Sequence, residues 1–159
     1  MLTYTYVDTP IGAILVAGDD DAIVEIRFAG AKPKTEWIRD DAALADAASQ
    51  LRAYFSGERL AFEIPLKSRG TEFQQTVWTA LRQIPYGETT TYAKIAERIG
   101  KPSAVRAVGA ANGANPIPIV IPCHRVIGSN GSMTGFGGGI DVKRHLLALE
   151  ARVARRTLF

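Results

Sequence analysis

The chain has 159 residues, 47% of them apolar and 22% charged, a profile that fits one ordinary domain or two small lobes and excludes wholesale disorder. No run approaches the roughly 20 apolar residues that span a bilayer, and the first ten residues lack the basic-then-apolar order of a signal peptide. A single cysteine forms neither an internal disulfide nor a cysteine-rich zinc site, so a soluble protein of the reducing cytoplasm is the expectation.

The formal charge of +3 is unevenly spread. Residues 1–70 hold 8 Lys and Arg against 11 Asp and Glu, whereas residues 71–159 hold 11 against 5. This asymmetry suggests a polyanionic partner for the C-terminal half, although uneven surface charge without a partner would look the same.

In chain order, the first lobe (1–69) begins as an antiparallel sheet. "LTYTYV" alternates, "IGAILVAG" is a short apolar run, and "IVEIRF" sets Val24, Ile26 and Phe28 on one face with Glu25 and Arg27 on the other. "GDDD" at 18–21 reads as the turn of a hairpin. "DDAALADAASQLRAYFSG" then reads as a helix, acidic at its start and followed by Gly57. The lobe has no histidine, cysteine or glycine-rich phosphate loop, so a scaffold role is expected.

The second lobe (70–159) opens with a capping box, Thr71 and Gln74, ahead of Phe73, Val77, Leu81 and Ile84 at helical spacing, with Pro85 and Gly87 ending the helix. "TTTYAKIAERIG" is a short helix capped by threonine and stopped by Gly100. "KPSAVRAVGAANGAN" supplies a proline, a serine cap and a third helix. Two short helices around a Gly-containing turn make a helix-turn-helix pattern, one shared by many helical pairs that bind no DNA. Ala104, Ala107, Gly109, Ala110 and Ala111 leave the third helix nearly free of bulk, with Arg106 its one charge. That surface suits tight packing on a neighbouring helix, and it equally suits a narrow groove of DNA.

Cys123 and His124 adjoin in "IPCHRVIG" (121–128). A free cysteine is often just a small buried hydrophobe, but neighbouring His and Arg would favour its reactive anion if within reach. In an extended strand, adjacent side chains point to opposite faces, so a link from Cys123 to His124 would need a bent backbone or a water. A histidine base also needs a group to hold its tautomer. The candidate is Glu150, at the border of the stripe Val142, Leu146, Leu149 and Val153, while a solvated glutamate is the bland alternative. His145 reads as packed rather than catalytic. The segment 128–140, with six glycines, reads as a mobile loop beside the thiol, with Phe136 or backbone amides able to contact a flat ligand.

"IPCHRVIG", preceded by "RAVGAANGANPIPIV" and followed by "GFGGGIDVKRHLLALE", resembles the active-site region of O6-alkylguanine-DNA alkyltransferases. The resemblance runs upstream through "FQQTVWTALRQIPYGETTTYAKIA" and more loosely into the first lobe. It implies an α+β protein: a ribonuclease H-like lobe with a small antiparallel sheet and a helix, then a mainly helical, winged-helix-like domain with a helix-turn-helix. The implied activity is irreversible transfer of an alkyl group from O6-alkylguanine in duplex DNA onto Cys123, once per molecule, after base flipping from the minor groove; O4-alkylthymine is a second candidate substrate. By the same resemblance, His124 would be the base acting through a water and Glu150 would orient it. Tyr92 would donate to the flipped purine, and Asn115 would be the hinge joining the recognition helix to the active segment. Arg106 would fill the space the base vacates, with Ser103, Ala104, Gly109 and Ser129 near DNA. Val126, Phe136, Gly137 and Gly138 would line the base pocket. Position 136 is Phe where many members carry tyrosine, and 137 is Gly where some carry serine, which bears on tolerance for bulky alkyl groups. No metal, no cofactor, no membrane and no obligate protein partner are expected, and a monomer is the expected state. A Cys-His-Glu hydrolase and a DNA-binding adaptor with a structural cysteine are the rival readings.

Overall fold

The computed structural model describes residues 1–133 and 136–157, which divide into two compact units, Met1–Arg69 and Gly70–Phe159. In the first, β1 (Thr3–Thr9) and β2 (Gly12–Gly18) form an antiparallel hairpin from Thr3↔Gly18 to Thr9↔Gly12. Gly12 sits at φ +101°, a conformation that side chains resist, and closes the two-residue connection. β3 (Ile23–Arg27) extends the sheet, and β4 (Ile38–Arg39) joins the far edge, parallel to β1, giving the order β3-β2-β1-β4.

The apolar run of β2 is explained by burial on both faces. Leu15 and Ala17 pack with Trp37, Leu2, Tyr4 and Tyr6 on one side. Ile14 and Val16, paired with Val7 and Thr5, lie on the other and are fully buried. The expected face of Val24, Ile26 and Phe28 is corrected by a register shift opposite Ala17 and Gly18. Gly18 pairs with Ile23, so Val24 is the extra residue of a bulge, and Ile23 takes the buried place beside Ile26. Asp19 holds the 18–21 turn, its Oδ1 accepting from the N–H groups of Asp21 and Ala22.

Helix α1 (Ala45–Phe55) packs against β1 and buries Leu51 and Tyr54 completely. It starts later than the pattern suggests: residues 41–44 form a turn, capped by Asp40, which accepts from Ala43 N–H. Asp41 is drawn to the sheet, accepting from Thr5 Oγ1 at 2.7 Å and from Arg39 Nε. Gly57, at φ +83°, ends the helix.

In the second unit, α2 (Glu72–Leu81) carries the complete Thr71–Gln74 capping box. α3 (Tyr92–Arg98) is capped by Thr91, whose hydroxyl accepts from Lys94 N–H, and Gly100 ends it at φ +78°. α4 (Val105–Gly113) packs on α2 and α3, completing the helix-turn-helix. The expected serine cap is corrected here: Ala104 is the N-cap, without a side-chain bond, because residues 101–104 form a turn closed by Ala104 N–H to Lys101 C=O. β5 (Thr90–Thr91) pairs in parallel with β6 (Val126–Ile127), tying the start of α3 to the segment after Cys123. α5 (Ile140–Thr157) closes the unit and buries Leu146, Leu149 and Val153. Among the described residues, no helix is long and apolar enough to cross a membrane, and no group of three His, Cys, Asp or Glu is placed to hold a metal ion.

Candidate active site

The segment between α4 and Cys123 is folded by its own polar and proline residues. Asn115 uses both ends of its amide, donating from Nδ2 to Ile121 C=O at 2.8 Å and accepting the Ile117 N–H at Oδ1. Between them Ile119 lies at φ +76°, where a β-branched residue is strained by about 1–3 kcal/mol, and its burial holds it there. Pro122 (φ −80°, ψ 64°) makes an inverse γ-turn, with Cys123 N–H donating to Ile121 C=O at 2.7 Å.

Residues 123–125 then form one 3-10 turn, not the extended strand that the sequence suggested. Successive side chains in such a turn diverge by about 120°. Cys123, His124 and Arg125 are all buried.

His124 turns to α5, where its Nε2 lies 2.7 Å from Glu150 Oε2. Arg125 grips the same carboxylate twice, Nε to Oε1 at 2.8 Å and Nη2 to Oε2 at 3.0 Å, and its Nη1 donates to Ile84 C=O. Gly87 N–H adds a bond to Oε1 at 3.2 Å. Burial alone would raise the Glu150 pKa, but the bonds from His124 and Arg125 outweigh it and hold the carboxyl at about 2. Burial lowers His124 below its ordinary value, against the opposing pull of Glu150. The ring is therefore neutral, and its contact with an ionised carboxylate requires the proton on Nε2. Nδ1 is left as the bare lone pair, fully buried and with no hydrogen-bond partner among the described residues.

The thiol is not pre-ionised. Burial pushes Cys123 up to about 11, with the Asn115 side chain and Lys143 pulling the other way. At neutral pH that leaves roughly one thiolate in ten thousand. The expected help from the neighbouring His and Arg is absent because His124 is neutral and Arg125 is committed to Glu150.

Lys143 was not singled out by the sequence reading. Its side chain is fully buried, its Nζ donates to Val126 C=O at 2.6 Å, and it lies 6.0 Å from the ring centres of both Tyr92 and Phe136. Burial lowers its pKa, and the charge of Cys123 acts to raise it. The available signal was its spacing: seven residues, two helical turns, separate Lys143 from Glu150, so both belong to one flank of α5. Asn112, buried on α4 with Nδ2 3.3 Å from Cys123 C=O, also escaped notice.

Tyr92, at the first position of α3, is half-buried; burial and then the Cys123 charge raise its hydroxyl above the ordinary value. A Cβ added at Gly109 would rest 4.0 Å from the Tyr92 ring, so α4 passes close to it. Val126 is buried under Lys143, Phe136 and Gly138 are half-exposed, and a Cβ at Gly137 would meet nothing within 4 Å. The structure thus gathers Cys123, His124, Glu150, Tyr92, Val126 and Phe136 around α5 and its neighbours. Arg106 and Ser103 are exposed on the helix-turn-helix, Ala104 is half-exposed there, and Ser129 is exposed in the turn after β6.

Family models of 6-O-methylguanine DNA methyltransferase match both units, the ribonuclease-like domain over residues 2–68 and the DNA-binding domain over residues 72–152. A methylated-DNA–protein-cysteine methyltransferase from Mycolicibacterium paratuberculosis is 52% identical, covering 100% of this chain and 99% of that protein. The structure of Mycobacterium tuberculosis O6-methylguanine methyltransferase superposes with a TM-score of 0.92 at 49% identity, covering 100% of this chain and 99% of the other. That of Mycobacterium tuberculosis OGT in complex with DNA gives 0.91 at 50% identity, covering 95% and 94%. With a buried thiol beside a glutamate-clamped histidine, and both domains matched, the chain belongs to the 6-O-methylguanine DNA methyltransferase family.

Proposed function

We propose that the protein repairs DNA by taking the alkyl group of O6-alkylguanine onto Cys123, once per molecule. The observation that carries this reading is the bare Nδ1 of a neutral, buried His124, clamped through Nε2 by Glu150 beside the chain's one thiol. A thiol held at about 11 needs such a base. The thiol proton passes through a water to His124 Nδ1, and Glu150 stabilises the imidazolium. Lys143 opposes the cost of the thiolate. Sulfur attacks the alkyl carbon, the S–C bond forms as the C–O6 bond breaks, and the leaving purine takes a proton, with Tyr92 donating toward its developing charge. The product is a thioether, which has no facile hydrolysis, so the nucleophile is spent.

To reach the buried thiol the base must leave the duplex, at a cost of a few kcal/mol. Arg106, exposed on the nearly smooth α4, fills the vacated space, and Asn115 anchors the segment from α4 to Cys123. We place the protein in the cytoplasm, with duplex DNA as its partner.

Incubation with duplex DNA containing O6-methylguanine is expected to add one methyl group to Cys123, ending at one per molecule by mass spectrometry. Continued turnover would establish a hydrolase instead, and binding without a mass change an adaptor. Arg106→Ala is expected to slow repair of duplex DNA far more than reaction with free O6-alkylguanine base; equal losses would remove its flipping role.

A further inference from the structure

Two buried acceptors belong to residues at the peptide unit that joins Cys123 to His124: His124 itself, and Asn112, whose amide bonds the Cys123 carbonyl. One is His124 Nδ1. The other is Oδ1 of Asn112, on α4, which has no hydrogen-bond partner among the described residues although the residue is only 2% exposed. The amide orientation is fixed by chemistry: Nδ2 must face Cys123 C=O, because the flipped amide would set two acceptors against each other. The side chain has a firm base as well. The carbonyl of the preceding Ala111 accepts from Trp78 Nε1 at 2.8 Å, which pins this end of α4 to α2.

An orphaned buried acceptor is costly, and two on residues that meet at the nucleophile's own peptide point to one shared partner. Buried waters typically make about three hydrogen bonds to polar groups of this kind. One water has two O–H groups for the two acceptors and a lone pair for the Cys123 thiol.

We propose that Asn112 is a positioning residue for the proton relay: its Oδ1, together with His124 Nδ1, holds the water through which the Cys123 proton leaves. This rests on the function proposed above and adds a residue to it. In the transfer, the S–H bond breaks as an O–H bond forms on the water, while one of the water's original O–H bonds breaks as N–H forms on Nδ1. The net change is a thiolate and an imidazolium, with no other reactant. Asn112 accepts from the water before and after the transfer, so the water need not reorient on that side.

The test uses the intact protein labelled with 15N at its two histidines, together with Asn112→Leu and Asn112→Ser. In wild type, the Nδ1 resonance of His124 is expected at the position of a hydrogen-bonded acceptor; at the position of a free lone pair it overturns the proposal. Leucine preserves shape while removing both polar ends. It is expected to slow methyl transfer from O6-methylguanine duplex about tenfold or more, to leave the Kd for unmodified duplex unchanged, and to shift the His124 resonance. Serine, small enough to keep water and able to accept from it, is expected to restore most of the rate. Transfer by Asn112→Leu at the wild-type rate, or a slowed rate with the resonance unmoved, overturns the proposal. Should the leucine variant not fold, the wild-type resonance decides. Wild-type protein that transfers no methyl group defeats the proposed function instead, and leaves the water site to be read from that resonance alone.

Discussion

Around Leu51, Tyr54 and the central strand β2, the first unit buries almost nothing polar. Thr5 and Gln50 are its buried polar residues; both are neutral, and both are bonded within the unit, Thr5 to Asp41 and Gln50 to Asp46 and to the backbone of Glu63. The second unit, with Leu146 and Leu149 equally buried, also encloses Asn112, His124, Arg125, Lys143 and Glu150. Removing charges from water is costly even when they are paired, and hydrophobic residues of the same volume are often at least as stable. A fold that needed only stability had the first unit's solution at hand. The charged core marks where the chemistry is, and it makes the second unit depend on matched partners rather than on apolar area.

The sharpest way to break this contrast is to strip one partner. Glu150→Ala leaves Arg125 buried without its counter-charge and is expected to destabilise the second unit by about 3–5 kcal/mol, measured by urea unfolding. Loss below about 1 kcal/mol would mean the charged cluster is not a stability determinant. In the first unit, Leu51→Ala is expected to cost about 2–5 kcal/mol through a cavity, with methyl transfer by the folded protein unchanged. A fall in transfer rate would show that the apolar unit takes part in the chemistry.

Acid should separate the units next. His124 and Glu150 are both held below their ordinary values, so the stability they give is present above their unfolded pKa values and lost as pH falls through the folded ones. For His124 the loss begins below about 6.5, and for Glu150 it runs from 4.5 toward about 2. Each unit carries one tryptophan, Trp37 in the first and Trp78 in the second, so single Trp→Phe variants report them separately. Trp78 fluorescence is expected to change at higher pH than that of Trp37. In the first unit the depressed carboxylates are Asp19, at about 2, and Asp41. Asp19 is partly exposed and Asp41 largely so, and their pairings with Lys67 and Arg39, whose side chains are about half-exposed, are screened by solvent. Coincident transitions would contradict the comparison. The smallest effect is local: Thr71→Ala removes the cap of α2 and is expected to cost about 1 kcal/mol by thermal unfolding, with transfer intact.

Much of the fold was legible because the forces that set it act over a few residues. The Thr71–Gln74 box, the Thr91 cap, the stop at Gly100 and the 18–21 turn each join groups three or four positions apart. Errors came where a nearby residue was claimed by something farther away or by a different turn. Asp41 is drawn to Thr5, thirty-six residues earlier, while Asp40 caps a turn ahead of α1; the bulge at Val24 and the turn at residues 101–104 displaced a strand face and a cap. At the site, the motif around Cys123 singled out His124 and Glu150, but it could not assign burial to individual charges.

By itself, then, the sequence determined the periodic elements, their caps, the position of the nucleophile and a family resemblance strong enough to carry an expected activity. Only the tertiary structure decided that Cys123 opens a 3-10 turn and that Arg125 serves Glu150 rather than the thiol. It also decided that Lys143 and Asn112 face the nucleophile's segment from two different helices. The reason is range. A cap or an amphipathic stripe is written within one or two turns of chain, whereas the bonds that define the site span 11 to 63 residues and exist only once the helices have packed.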